Sequence, residues 1–373
     1  MAPRIVVLGA TGYTGRLTVR ALVTRDRRPV LAGRSAARLE LLAAELGGLD
    51  LAVADVSRPE SLREVVESGD VLVSTVGPFA RLGDPAALAA IGQNAHYLDS
   101  NGEPAFTRRV FERFGPRAAD AGIGMLTAFG WESVLGNLAG ALALREAADA
   151  VRVDTGYFYT GSVGFSGGTQ ASFADAMVRP SFAYRDGAIR AVRGGERYRT
   201  MVAAGRPRPG VGFGASEHFA LPRTFPQLRE VNAYQGWFGR LSPRIARPMH
   251  ALSRAGFAAL RVPGTRVLYE AAMSRLARGS SGGPSADERA RGGIHVVGIA
   301  YGADGVQLAE AHLSGAEGYE FTAGILAWGA ERVAGGALRS VGALGPVEAF
   351  GVDELLAGCR EAGVSRVSGG NRA

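Results

Sequence analysis

The chain has 373 residues, 47% hydrophobic and 21% charged, the balance of a folded protein with one or two cores rather than a disordered one. Its single cysteine, Cys359, excludes a disulfide framework and a cysteine-based metal cluster and suits a reducing compartment, so a cytoplasmic location is expected. The net charge of +7 is built from 42 basic residues that are all arginine, which excludes Schiff-base, lysine-acid and P-loop-lysine chemistry.

The N-terminus opens directly on a strand pattern, without the charged and apolar regions of a secretory signal. No apolar run approaches the roughly 20 residues of a membrane-spanning helix. "RIVVLGA" is a continuous apolar strand, "GRLTVRALVTR" has helical spacing, "PVLAGR" is a second strand, and "SAARLELLAAELG" is a helix that Ser35 can cap. The unit repeats through "LDLAVADV", a helix with Ser57 as N-cap ahead of Pro59, "DVLVSTVG" and "DPAALAAIGQNA". "HYLDSNGE" and "GIGMLTAFG" are further strands around the helix "AFTRRVFERFGPRAADA". Continuous apolar strands separated by helices predict an α/β fold, a Rossmann-type doubly wound parallel sheet covered on both faces.

Near residue 130 the pattern changes. "ADAVRVDTGYFYTG" alternates apolar and polar positions, and "GGIHVVGIAYGADGVQLAEAHLSG" reads as a hairpin around "GADG". This predicts a second α+β domain on an open, mostly antiparallel sheet with one wet face. Between these segments lies an Arg/Gly/Pro-rich region with helical stretches such as "RIARPMHALSRAGFAALR". Residues 179–290 hold 19 Arg against seven acids, a net +12, so the remainder of the chain is net −5. Such a region could face an acidic partner, a phosphate-bearing carrier or an anionic membrane surface. No zinc spacing, RNA-binding signature or helix-turn-helix accompanies it, so nucleic acid is not expected. "YEFTAGILAWGAERVAG" and "GVDELLAGCREAG" are helices. The expected division is 1–128 for the Rossmann domain, 129–345 for a substrate and dimerisation domain, and 346–373 for a C-terminal helix packing back on the first.

Gly9, Gly12 and Gly15 form G-x-x-G-x-x-G between a strand and a helix. Gly9 permits the tight turn, Gly12 lets the backbone approach a pyrophosphate, and Gly15 lets the helix pack closely. With Thr11, Tyr13 and Thr14, the helix N-terminus supplies unpaired N–H groups and the positive dipole end to an anion. An NAD site commonly ends the second strand with a carboxylate; here it ends "LAGRSAAR". Arg34, Ser35 and Arg38 could hold a 2′-phosphate instead, so NADP(H) is the expected cofactor. Asp55 and Val56 follow the third strand, where the adenine would lie. Gly77, Pro78 and Phe79 of "VGPF" follow the fourth, over the pyrophosphate and nicotinamide ribose.

These residues resemble the saccharopine dehydrogenase-like NAD(P)-binding proteins. "GATGYTG" is similar to that family's opening fingerprint, "VGPF" to its fourth-strand loop and "HYLDSNGE" to its Tyr-x-Asp-x-x-Gly-Glu segment. "GWESVLGNL" is similar to a Gly-Phe-Asp-Ser-x-Pro-Ser-Asp-Leu motif and "SGGTQAS" to its Ser-Gly-Gly-Thr turn. "GGPSADERARGG" and "LSGAEGYEFTA" resemble late segments of the branch containing trans-acting enoyl reductases of polyketide lipid assembly. The chain departs from the pattern at Trp131, Glu132, Leu135, Gly136 and Asn137. The resemblance implies NADPH-dependent reduction of a C=C bond in a hydrophobic or carrier-linked, polyketide- or lipid-like substrate of secondary metabolism, by a homodimer.

Enoyl reduction needs hydride at the β-carbon, a stabilised enolate oxygen and a proton at the α-carbon. Without lysine, the donors left are Tyr, His, Asp/Glu and water. Asp99 ends the fifth strand near the expected nicotinamide, Tyr157 and Tyr159 share a face of the first alternating strand, and Glu132 opens the second region; these are the candidate catalytic residues. His96, His218, His250, His295 and His312 show no metal spacing, and no metal is expected. Two other readings stand beside the first. One is an oxidoreductase of C=N or C–N bonds; the other is a non-catalytic cofactor-binding protein whose residues 244–261 lie on a membrane as a basic amphipathic helix.

Overall fold

Runs of valine, leucine and isoleucine make the strands of the first sheet, and the central ones are buried end to end: "IVVL" in β1 (Ile5–Leu8) and "VLVS" in β4 (Val71–Ser74) expose no residue, whereas the edge strand "LAV" at 51–53 does. The computed structural model describes residues 3–161, 164–167, 169, 181–236 and 282–368. By its internal contacts the chain forms two units, Met1–Trp131 with Tyr319–Gly363, and Glu132–Gly318 with Val364–Ala373.

In the first unit the strands are β1, β2 (Val30–Gly33), β3 (Leu51–Val53), β4, β5 (His96–Asp99), β6 (Gly124–Leu126) and a late strand, β15 (Gly342–Ala343). Their order is β15-β6-β5-β4-β1-β2-β3, and each pairing is parallel. This is the doubly wound arrangement, with strand order reversing between β1 and β4. A ligand crevice belongs at that switch point, beyond the carboxyl ends of the strands.

The observed division differs from the expected 1–128, 129–345 and 346–373. Residues 319–345 belong to the first unit, because the helix Gly318–Ala334 buries its face there: Gly329 lies against Phe129 and Leu98, and Trp328 stacks edge-on with Phe350 at 4.8 Å. Ion pairs extend that attachment, with Arg25 Nε 2.6 Å and Arg27 Nη2 2.6 Å from the Glu331 carboxylate. The helix Val352–Glu361 also packs in this unit, as expected of the C-terminal helix, but Val364–Val367 then crosses into the second unit as its last strand.

The second unit's strands are β7 (Arg152–Tyr159), β8 (Ser181–Arg185), β9 (Ala188–Val192), β10 (Tyr198–Ala203), β11 (Arg206–Phe213), β12 (Glu230–Gly236), β13 (Ile294–Tyr301), β14 (Gln307–Gly315) and β16 (Val364–Val367). They form one sheet of order β10-β11-β12-β7-β13-β14-β16, with the β8–β9 hairpin joined to β12. Only the β12–β7 pairing is parallel. The sheet is therefore mostly antiparallel, as the alternation predicts, but the wet face is not. β13 is buried at every residue, β7 and β12 at all but their first. The helix Trp131–Arg145 covers one face through a close approach: Gly140 lies against Val153 and Thr155, and Gly298 against the backbone of Ala139.

The strands β8 to β11 were not expected in the Arg/Gly/Pro-rich region. Their turns carry the signal: Asp186-Gly187 and Ala204-Gly205 all have positive φ, the hairpin turn whose twist matches the strands. Pro207 and Pro209 inside β11 obscure it. "RIARPMHALSRAGFAALR", "WFGRL" and most of "SGGTQAS" lie outside the described residues, as does His250.

Candidate functional site

At the end of β1 the backbone turns through Gly9 at φ +84°. Gly9 N and Ala10 N both donate to Ala32 O, at 2.9 and 3.2 Å, and Gly12 N donates to Gly9 O at 2.8 Å. The helix Tyr13–Thr24 then starts hard against this turn: a Cβ on Gly15 would overlap Gly9 O, and a Cβ on Gly9 would sit 2.7 Å from Thr75 Oγ1. Gly12 is the N-cap and brings no side chain, so the first-turn N–H groups and the positive dipole end are left for an anion. Thr11, Tyr13 and Thr14 are half-buried around it, and the Tyr13 ring is steadied edge-on by Tyr319 at 5.0 Å.

Beyond β2, Arg34 and Arg38 are exposed, and neither makes a hydrogen bond or ion pair among the described residues. Ser35 occupies the N-cap of the helix Ala36–Glu45, yet its hydroxyl makes no capping bond and stays free for a ligand. Asp55 is held by its own turn, accepting from Ser57 N at 2.9 Å. The hydrogen bonds from Ser57 hold its carboxyl below the usual range, and the charge of Arg34 adds to this. Ser57 itself is not the N-cap of the helix Pro59–Val65; Arg58 is. Val56, like Asp55, is half-buried beyond β3.

After β4 comes the loop containing the cis Gly77–Pro78 bond, and the helix Phe79–Leu82 follows it. Its first two N–H groups are taken by one buried carboxylate: Phe79 N donates to Glu103 Oε1 at 2.7 Å and Ala80 N to Oε2 at 2.8 Å. Glu103 is held in turn, since Asn101 Oδ1 accepts from its N–H at 2.7 Å. Glu103 was not anticipated as a functional residue, although it closes the "HYLDSNGE" segment.

The second unit holds a different chemistry. Glu217 is wholly buried; Tyr157 OH donates to its Oε1, Thr155 Oγ1 donates at 3.2 Å, and its Oε2 has no partner. No cation among the described residues compensates it, and burial pushes its carboxyl up to about 7. Glu132 is partly exposed and accepts from Gln235 Nε2 at 2.6 Å; burial raises it too, to about 7. The two acids belong to one cluster. Gly136, one turn after Glu132 on the same helix, lies against both Tyr157 OH and Glu217 Oε1, where no side chain fits. Beside them Ser133 and Ser216 share a hydrogen bond, and Asn137 Nδ2 donates to Ser216 Oγ at 2.8 Å. Both carboxyl groups can hold a proton near neutral pH.

The family profile described as the saccharopine dehydrogenase NADP binding domain matches residues 5–124. Residues 5–124 are a saccharopine dehydrogenase NADP-binding domain. A trans-acting enoyl reductase of Mycobacterium ulcerans (strain Agy99) is 39% identical over 140 residues, 36% of this chain and 34% of that protein. A relative from Mycobacterium tuberculosis is 36% identical over 187 residues, 48% of this chain and 45% of its own length. The chain thus spans between a third and a half of the curated relatives it matches. The apo saccharopine dehydrogenase (L-Glu forming) of Saccharomyces cerevisiae superposes with a TM-score of 0.57 over 98% of this chain and 100% of that one; at 13% identity it shows the fold alone.

The residues of this saccharopine dehydrogenase NADP-binding domain fit the dinucleotide on their own geometry. Side chains are excluded at Gly9 and Gly15 in the turn after β1, and the Arg34 and Arg38 guanidiniums beyond β2 make no hydrogen bond or ion pair among the described residues. The cofactor of the domain is NADP(H). Three expected site residues are corrected. Phe79 turns inward, 4% exposed and 5.7 Å from Phe106, so the fourth-strand loop offers Gly77 and Pro78 only. Asp99 is wholly buried; its Oδ1 accepts from Asn101 N (2.9 Å) and Ala128 N (2.7 Å), its Oδ2 from Thr127 Oγ1 (2.9 Å). Burial lifts its carboxyl to about 6, but these bonds make it a tie between strand ends, with no access to a substrate. Tyr159 is 5% exposed and packs edge-on with Phe165 at 6.2 Å, a packing residue. Tyr157 is buried as well, its hydroxyl donating to Glu217.

Proposed function

We propose that the protein is an NADPH-dependent reductase of a carbon–carbon double bond conjugated to a thioester, on a hydrophobic or carrier-linked acyl chain. The observation that carries this reading is Glu132: a carboxyl group gripped by Gln235 and raised by burial to about 7, in a chain without lysine. NADPH, when bound on the glycine turn and Arg34, supplies hydride for the β-carbon. The resulting enolate then needs a proton at its α-carbon, from an acid whose pKa lies near the operating pH. Gln235 grips one oxygen of Glu132, fixing the carboxyl group and leaving the other oxygen for the proton. Glu217 stores a second proton one helical turn away, and charge on Glu132 raises the affinity of Glu217 for it. The relatives named trans-acting enoyl reductase support the same reaction class.

The test is loss of NADPH absorbance with a panel of 2-enoyl thioesters of increasing chain length. Oxidation is expected, with saturated thioester formed in equal amount. No oxidation with any enoyl thioester, alongside oxidation with cyclic imines, would overturn the reading in favour of C=N chemistry.

A further inference from the structure

The second unit contains a cleft that neither the cofactor domain nor the acid cluster uses. It is a shallow depression open to solvent, and Arg185, Arg193, Arg197 and Glu196 line it. The three arginines come from the basic stretch of the sequence, whose charge the reduction chemistry leaves unexplained. Their backbone is firmly set: Gly195 N donates to Gly212 O at 2.9 Å and Gly212 N to Arg197 O at 2.8 Å, which clamps the turn between β9 and β10 onto β11.

The arginines outnumber what neutralises them. Arg185 Nη1 pairs with Glu196 at 3.0 Å, and Arg197 pairs with Glu230 and Asn232. The Nε–H groups of Arg185 and Arg193 are buried and have no hydrogen-bond partner among the described residues. Three guanidiniums around one cleft, with only the carboxylates of Glu196 and Glu230 paired to them among the described residues, point to an acceptor with several oxygens and a negative charge. A phosphate has more acceptor oxygens than a carboxylate and matches the planar forks of several arginines at once.

We propose that this cleft binds the phosphate of an acyl thioester's pantetheine arm, and so fixes the substrate by its carrier end. The assignment of a thioester rests on the reading of the protein as an enoyl reductase; the phosphate site rests on the arginines. Glu196 competes with the ligand for Arg185, so its charge weakens the site.

Titration calorimetry of the whole protein with phosphopantetheine and with unphosphorylated pantetheine tests the proposal. Phosphopantetheine is expected to bind at least about tenfold more tightly, R193Q to remove most of that difference, and E196Q to enlarge it. A gain in E196Q cannot come from misfolding, and unchanged NADPH binding in both variants checks the first unit. Equal binding of the two compounds, a difference that survives in R193Q, or weaker phosphopantetheine binding in E196Q would overturn it. Turnover of enoyl pantetheine thioesters with no phosphate preference removes the site and leaves the reductase reading. Phosphate preference without any enoyl turnover does the reverse.

Discussion

At the scale of single residues, two side chains carry the functional argument, and both are defined by what they lack. Arg34 makes no hydrogen bond or ion pair among the described residues, so its charge is available to a ligand. Replacing it by glutamate puts a negative charge where a 2′-phosphate is expected. A charge-assisted hydrogen bond is worth about 1.5–3 kcal/mol, so R34E should weaken NADPH binding roughly tenfold to a hundredfold and leave NADH binding nearly unchanged. Fluorescence titration with both nucleotides reads this; equal losses for the two would place the phosphate elsewhere. Glu132 has no cation beside it among the described residues, and burial lifts its carboxyl to about 7. Its neighbour Gly136 leaves the space in which Tyr157 and Glu217 meet.

At the scale of elements, the loop after β4 depends on one carboxylate. Glu103 takes the two N–H groups that open the helix Phe79–Leu82, so E103A would leave both buried donors unpaired, at about 1–3 kcal/mol each. The expected outcome is a lower unfolding midpoint together with weaker NADPH binding, partly restored in E103Q, whose amide oxygen still accepts one bond. NADPH affinity unchanged in E103A would show that the loop does not touch the cofactor. Legibility in the sequence follows the same scale. The glycine turn, Arg34 and the parallel strands could be read because each depends on local pattern: a strand, three spaced glycines, a helix. The hairpin β13–β14 was legible for the same reason, through "GADG". Asp99 and Phe79 could not be placed, since whether a strand-end side chain faces a ligand or the core depends on residues far away, Thr127 and Ala128 for one and Phe106 for the other. The acid cluster was half legible. Glu132 and Tyr157 stood out, but Glu217 lies 60 positions from Tyr157 and only the sheet brings it there.

At the scale of the whole molecule, the chain leaves its first unit after Trp131 and returns at Tyr319, so one polypeptide serves a cofactor domain and an inserted mixed-sheet unit. No helix among the described residues is long and apolar enough to cross a membrane. The inserted unit is built around ionisable groups that prefer to be neutral; the acids Glu132 and Glu217 lose their contribution to stability as pH rises, whereas the buried His218 and His295 gain theirs. Glu217 is raised from 4.5 to about 7, so its contribution is complete below about pH 4.5 and is lost as pH rises through about 7. The loss is on the order of 3 kcal/mol. Chemical denaturation followed across this range should show E217Q gaining stability relative to the wild type as pH rises, because its amide keeps an acceptor for Tyr157 but cannot ionise. Parallel profiles would mean that Glu217 is ionised in the folded protein. The same neutral acids underlie the proposed reaction, and its rate tests them together. The most direct measurement is kcat/KM for NADPH-dependent reduction of a 2-enoyl thioester as a function of pH, in the wild type and in E132Q. The account predicts a rate that falls as pH rises through about 7 in the wild type, and a loss of about a hundredfold or more in E132Q with NADPH binding intact. A rate that is flat through that range and unaffected by E132Q would contradict it.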